Sequence, residues 1–395
     1  MVAHAQLSPS GSSRWLLCPG SVRMTSGLNK GSGDMALRGS FIHQIGEELL
    51  IGKEFVLGQK IFYGKDEAII TKDMLTEAND YCSYVKAICN RDKNSELTVE
   101  MKVDLTDIAE DTFGHADAVV IENGNLHIVD LKTGASLVDA ENNSQMMLYA
   151  YGVYKEMEIF HDLKNITLHI VQNNDKTGGD KSTNWSISPE DLIDWIENTV
   201  KPKAKEALSD DAQCVPGEKQ CKWCDAASFC KALHDYVDQE ISDLFDAEDN
   251  KSQEVTIEMV TSFLSKVPII NSLVTKYNER IFEELNAGKS VPGFKLVKSS
   301  THKKWKDEID AFEKMKRWAP LDEIAPRKLC TPTQAEKILG AMSTVKKNKF
   351  NELWARPEGQ TVVVPSSDKR PEVKPVANMF EDLDTEEKIE DTFDL

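Results

Sequence analysis

The chain has 395 residues and a formal net charge of −19. That is long enough for two domains, and it holds no run of about 18 apolar residues of the kind a membrane-spanning helix needs. The acidity is concentrated: residues 376–395 carry eight acids against Lys388, and residues 235–254 carry eight against Lys251. The remainder is close to balance, so total charge does not exclude a nucleic-acid substrate. The start, Met1-Val2-Ala3-His4-Ala5-Gln6, lacks a basic and apolar leader pattern. We therefore expect a soluble cytoplasmic protein whose eight cysteines are thiols or metal ligands rather than disulfides.

In chain order, residues 7–18 read as a short helix capped by Ser8, with Pro9 at its first position, ending at Cys18-Pro19-Gly20. An amphipathic helix over 36–51 has Ile42, Ile45, Leu49 and Leu50 as core, and His43 and Glu47 share a face. A helix over 72–90 precedes strand-like runs at 96–104, 115–122 and 125–132. Asn123-Gly124-Asn125 marks a tight turn between the last two. A helix over 141–156 and a strand over 165–172 follow. Residues 173–184, rich in Asn, Asp and Gly, read as a loop before a helix near 189–208.

This α-β-β-β-α-β order predicts an α/β sandwich rather than a doubly wound nucleotide fold. The expected organisation is a first domain over 1–234, an acidic linker over 235–255, and a mostly helical or mixed domain over 256–356. The composition of residues 357–395 predicts a disordered acidic tail.

The chemistry concentrates at the hairpin over 114–134. Asp130 and Lys132 are two apart and so share one face of a strand. If the two strands pair antiparallel, Asp117 comes close to both. Two carboxylates and an ammonium converging there suggest a Mg²⁺ site that activates water. Glu100, on the preceding strand, is a weaker candidate for a second metal or an outer supporting role.

Four motifs occur in order: Gly39-Ser40-Phe41-Ile42-His43, Gly114-His115-Ala116-Asp117, Asp130-Leu131-Lys132-Thr133-Gly134 and Gln145-Met146-Met147-Leu148-Tyr149. Together they resemble the RecB-like branch of the PD-(D/E)xK nuclease superfamily. The resemblance implies a restriction-endonuclease-like core, a central mixed sheet flanked by helices. It implies that Asp117, Asp130, the Leu131 carbonyl and His43 hold Mg²⁺ or Mn²⁺. Lys132 would then orient water and stabilise charge in the transition state, while Gln145 and Tyr149 face the site or the DNA backbone.

Cys214, Cys221, Cys224 and Cys230 crowd into one short stretch and suggest a metal site. Cys221, Cys224 and Cys230 with His234, or with Cys214 in its place, would make a local structural Zn²⁺ site. The C-x₂-C-x₅-C group after the nuclease motifs, with Cys18-Pro19 before them, also resembles iron–sulfur nucleases: the AddB nuclease domain and CRISPR-associated four-cysteine exonucleases. That likeness implies a [4Fe–4S] cluster on Cys18, Cys221, Cys224 and Cys230. Such a staple would close a loop of about 200 residues and restrict the unfolded chain by roughly 5 kcal/mol, if the disulfide cross-link model carries over.

Between Phe294 and Lys328, ten basic residues including Arg327 interleave with Phe294, Trp305 and Trp318. Such a pattern tracks a single strand or forms a small core with a solvated face. The chain also resembles a phage-encoded nuclease-like family, through Leu7-Ser8-Pro9-Ser10, Trp15-Leu16-Leu17-Cys18-Pro19-Gly20 and Ser367-Asp368-Lys369-Arg370-Pro371. That resemblance implies a DNA exonuclease of phage replication or recombination in the host cytoplasm, beside a single-strand DNA-binding protein or recombinase. The alternatives are a DNA-binding recombination factor with little activity and an endonuclease for branched DNA.

Overall fold

The computed structural model describes residues 6–28, 33–174, 176–246, 256–324, 329–340, 344–366, 368 and 370–373. The chain divides into two units, Met1–Leu273 and Val274–Leu395.

The first unit opens with a 3₁₀ turn, Pro9–Gly11, capped as expected by Ser8, whose Oγ accepts from the Gly11 N–H at 3.2 Å. Helices α1 (Ser12–Trp15) and α2 (Ser21–Thr25) follow, then α3 (Asp34–Leu50), β1 (Lys60–Tyr63), β2 (Asp66–Ile69) and α4 (Lys72–Cys89). The body of the unit is β3 (Glu96–Asp104), β4 (Phe113–Glu122), β5 (Asn125–Leu131), α5 (Ser144–Met157) and β6 (Asn165–Val171). After them come a two-residue ribbon of β7 (Asn173–Asn174) and β8 (Gly179–Asp180), and then β9 (Thr183–Ile187). Helices α6 (Pro189–Trp195) and α7 (Lys201–Ala207) are joined by a π-helical turn, Ile196–Val200. Short α8 (Glu218–Lys222) and α9 (Lys231–Asp246) follow, and α10 (Ile257–Asn286) includes residues of both units.

Five strands form one mixed sheet in the order β3-β4-β5-β6-β9. The β5–β6 pair is parallel, with α5 as its crossover, and the other pairs are antiparallel. The β4–β5 turn has positive φ at Asn123 (48°) and Gly124 (74°), the combination a two-residue hairpin turn of type I′ requires. A Cβ on Gly124 would also stand 2.8 Å from the Asp162 carbonyl. The α/β sandwich expected from the order of elements is therefore present, as a mixed sheet with helices on both faces.

Strand alternation sorts the sheet into two cores. Val119, Ile121, Leu126 and Ile128 pack with the buried run Met146–Val153 of α5 and with Leu192 and Ile196. Ala118, Val120, Val129 and Leu131 pack against Phe41, Ile42 and Ile45 of α3 and Met74, Tyr81 and Val85 of α4. Capping fixes where the helices start: the Thr71 hydroxyl accepts from Met74 N at 3.4 Å, and Asn143 Oδ1 from Met146 N at 3.2 Å.

Two parts differ from expectation. The loop over 173–184 contains the β7–β8 ribbon and the start of β9, an edge strand whose largely polar residues hide the usual apolar alternation. The β1–β2 hairpin was not expected either, because each strand is only four residues long.

In the second unit, β10 (Phe294–Lys298) and β11 (Lys304–Trp305) lead into α11 (Glu308–Met315), α12 (Leu321–Ile324), α13 (Pro332–Leu339) and α14 (Thr344–Asn351). The last elements are β12 (Trp354–Ala355) and β13 (Thr361–Pro365). Strand β13 lies inside the stretch expected to be disordered: Val362 and Val364 suit a pleated edge, and the strand pairs antiparallel with β10. Trp305, Trp318 and Trp354 pack around Met315, Ala335 and Phe350, so the tryptophans here build a small core rather than an open platform. Trp305 also donates from Nε1 to the Cys330 carbonyl at 2.7 Å. Arg327, Lys328 and the acidic tail over 376–395 lie outside the described residues. Among the described residues, no helix is long and apolar enough to cross a membrane.

Ile128 is fully buried in the central strand β5. Ile128→Ala is expected to cost about 3 kcal/mol of stability, read as a lowered urea midpoint of the full chain. Ile159→Ala, at a position 78% exposed, is expected to stay within about 0.5 kcal/mol of wild type.

Candidate active site

The hairpin brings its charged residues to one end of the sheet. The register places Asp130 opposite Asp117, one step beyond the Ala118–Val129 pair. On the other side, Glu100 falls opposite Asp117 between the Val99–Ala118 and Met101–Ala116 pairs. Carboxylates from three adjacent strands therefore stand in a row. Glu100 has φ +50°, a left-handed conformation that costs a strand residue about 1–2 kcal/mol.

Asp117 Oδ2 accepts the Leu131 N–H at 2.8 Å, and His43 Nδ1 lies 3.2 Å from the same oxygen. Lys132 Nζ stands 2.7 Å from Asp130 Oδ2 and donates to Gln145 Oε1 at 3.2 Å. Gln145 Nε2 donates to Tyr149 Oη at 3.1 Å and reaches Asp130 Oδ1 at 3.5 Å. His43 with Asp117, and Asp130 with Lys132, Gln145 and Tyr149, thus form two neighbouring bonded sets that act on each other through their charges. Gly114 is required by close approach: a Cβ there would meet the Tyr149 ring at 2.5 Å and Pro9 at 3.0 Å.

Burial and proximity set the charges. Burial alone would push the Asp117 carboxyl up, but His43, the Leu131 N–H and Lys132 outweigh it and hold Asp117 below the ordinary range. Asp130, 2% exposed, is shifted up by burial and by Asp117's repulsion, despite Lys132. Lys132 stays cationic: burial opposes its charge, and Asp130 and Asp117 more than restore it. His43 is likewise held protonated, pushed up to about 9, because Asp117 outweighs the burial of its ring. Burial, Asp117 and Glu47 push Glu100 up to about 7. Tyr81 from α4 went unnoticed in the sequence; it is 2% exposed, and burial with the nearby Asp117 and Asp130 keeps its phenol neutral.

Of the two bonded sets, His43 and Asp117 line a cleft of about 820 Å³, together with Glu47 of α3, Glu100 of the sheet, and Phe62 and Tyr63 of β1. Asp130 Oδ2 is buried and, although Lys132 is adjacent, lacks a hydrogen bond of good geometry. Such oxygens suit a hard divalent cation. Among the described residues, no three His, Cys, Asp or Glu side chains are so arranged as they stand that they could hold a metal ion. His43 and Lys132 occupy the oxygens instead.

The cysteines meet elsewhere in the unit. Cys18, Cys214, Cys221, Cys224 and Cys230 line one small cavity of about 20 Å³. The Cys18 sulfur accepts the Val215 N–H at 3.2 Å, and the Cys221 sulfur the Gly217 N–H at 3.4 Å. Burial, with Cys230 and Cys18 beside it, pushes the Cys214 thiol up to about 12, and burial pushes Cys221 up to about 11. His234 is exposed and is not among the residues lining this cavity.

His127 and His169 form a second polar chain within the sheet. His127 Nδ1 is 2.9 Å from His169 Nε2, and His169 Nδ1 is 3.0 Å from Tyr84 Oη. His169 is pushed down to about 3 by burial and by His127, so the pair is a neutral structural bridge. His115 is exposed.

Fold and cleft define a mixed α/β protein with an acidic, lysine-bearing site at one end of its sheet. The chain belongs to the family described as Protein of unknown function (DUF2800), whose model matches residues 4–371. Two solved structures are similar to it at 13% identity. One, titled "Crystal structure of SSO0001", has a TM-score of 0.26 over 59% of this chain and 89% of its own. The other, titled "Putative exonuclease" and from Eubacterium rectale, has a TM-score of 0.32 over 64% of this chain and 90% of its own. Likenesses of that strength carry no weight for activity; the side-chain geometry does.

His43 titrates at about 9 in the fold against an ordinary value of 6.5. The stability it contributes is fully present below 6.5 and is lost as pH rises through about 9. In chelator-treated protein, the gap in urea midpoint between wild type and His43→Gln is expected to close across that window. A gap independent of pH would contradict the ion pair.

Proposed function

We propose that this protein is a metal-dependent deoxyribonuclease that degrades DNA from its ends. The observation that carries the proposal is the neighbouring of two hydrogen-bonded sets, His43–Asp117, which lines an open cleft, and Asp130–Lys132–Gln145, whose carboxylate lies buried beside it. Asp117, Asp130, the Leu131 carbonyl and His43 would hold Mg²⁺ or Mn²⁺. When bound, that ion supplies a water of lowered pKa and positive charge beside the phosphoryl oxygens.

The chain's own residues do the rest. Lys132 keeps its proton and offers a fixed positive charge to the oxygens of the scissile phosphate as negative charge builds on them. Gln145 holds Lys132 Nζ through Oε1, and Tyr149 fixes the Gln145 amide from its other side. Since each of these groups is already hydrogen-bonded, little reorganisation accompanies the reaction. The proposed setting, from the family likeness of the N-terminal segment and of residues 367–371, is phage DNA replication or recombination beside a single-strand binding protein or recombinase.

Four of the five thiols are proposed to hold a metal group, which would staple the N-terminal segment to residues 221–230 where Cys18 is one of its ligands. A [4Fe–4S] cluster on Cys18, Cys221, Cys224 and Cys230 is one occupant, supported by the spacing of those cysteines. A single Zn²⁺ on Cys214, Cys221, Cys224 and Cys230 is the other.

End-labelled linear DNA incubated with Mg²⁺ or Mn²⁺ tests the nuclease. Wild type is expected to degrade it, Asp130→Ala to fall to background, and Lys132→Ala to lose at least about 100-fold. Equal background cleavage by wild type and Asp130→Ala, with strand binding intact, would leave a DNA-binding factor instead. For the staple, anaerobically purified protein is expected to show the brown absorbance of a cluster. A colourless protein with one zinc per chain would settle on the second occupant.

A further inference from the structure

The cleft has a wall that the proposed chemistry does not use. Strand β1 carries Phe62 and Tyr63, 58% and 49% exposed, and both line the cleft that holds Asp117 and His43. Large aromatic rings left that open in a cleft call for a ligand with flat apolar faces. The hairpin carrying them is anchored. Ile61 between them and the body is 4% exposed, and the Tyr63 ring meets the buried Phe41 of α3 edge-on, with centroids 6.3 Å apart. Tyr63 is therefore oriented before anything binds.

The opposite wall sharpens the choice of ligand. Among the described residues lining the cleft there is no lysine or arginine, while Glu47, Glu48, Glu100 and Asp117 all face it. A duplex brings two phosphate backbones and hides the faces of its bases, so this cleft offers it repulsion and little else. An unpaired strand brings one backbone and free base faces, and stacking on aromatic rings binds such bases without reading sequence.

We infer that the β1–β2 hairpin is a base-stacking platform: Phe62 and Tyr63 take unpaired bases of a single-stranded DNA end and so select single strands over blunt duplex. The inference rests on the nuclease proposal for its substrate, and its test is separable from it.

Binding is measured with the full chain carrying Asp130→Asn and a single-stranded oligonucleotide bearing 2-aminopurine near its end, whose fluorescence is quenched by stacking. Quenching is expected on binding. Phe62→Ala and Tyr63→Ala are each expected to weaken binding about tenfold and to abolish part of the quench, and Phe62→Trp and Tyr63→Phe to restore both. In the active protein the alanine variants should raise KM for single strands with kcat largely kept, and blunt duplex should be degraded far more slowly. Phe62→Ala removes a mostly exposed ring, and Tyr63→Phe keeps the contact with Phe41, so misfolding does not obscure the outcome. Unquenched binding, alanine variants that match the parent, or equal kcat/KM for duplex and single strand would each overturn the platform. Quenching that depends on both rings, with no cleavage in any metal, would overturn the nuclease and leave the platform standing.

Discussion

A buried carboxylate persists as an anion only where something nearby answers its charge. Asp117 is answered three ways: by the Leu131 N–H, by the His43 ring and by the charge of Lys132. The bond to Leu131 ties β4 to β5 just past the last pair of their ladder, and so sets Asp117 opposite Asp130. His43 reaches the same oxygen from α3, on the other side of the cleft floor. Removing that one carboxylate would free a strand end, take away the charge that keeps the buried His43 ring protonated, and relieve Asp130 of its neighbour's repulsion.

The site was legible in the sequence because its members sit on regular elements at spacings that those elements force. Asp130 and Lys132 share a strand face, and Gln145 and Tyr149 are one helical turn apart, so each pair is local and follows from chain geometry. Glu100 was harder to place: its position opposite Asp117 depends on the β3–β4 register, and its positive φ leaves no trace in a residue name. Tyr81 was missed for a related reason. On an amphipathic helix it is indistinguishable from core, and only the packing of α4 beneath the sheet brings it to the carboxylates.

The fold was legible to a similar depth. Long, strongly patterned elements such as β3 to β6 and α5 came close to their expected bounds. Short or polar ones did not: β1 and β2 are four residues each, and β9 is held at the sheet edge by its pairing with β6 more than by its own composition. The cysteines show the same division between local and distant information. Cys221, Cys224 and Cys230 are visible as a group, whereas the meeting of Cys18 with Cys214 depends on how residues 18–22 fold onto residues 210–215.

That meeting has a consequence for how the protein comes into being. The Gly20 N–H donates to the Gln213 carbonyl, Arg23 binds the carbonyls of Asp210 and Ala212, and the Cys18 sulfur receives the Val215 N–H. Each partner is about 190 residues later in the chain. On a ribosome, the first helices therefore wait through most of the unit's synthesis before the surface they pack against exists. The residues lining the cleft are complete by Gly134, yet the segment that includes Pro9, packed against Gly114, meets its partners at residues 210–215 only later. A nascent chain would thus carry Glu100, Asp117 and Asp130 well before the segment that braces Gly114 and Tyr149 has its own packing partners.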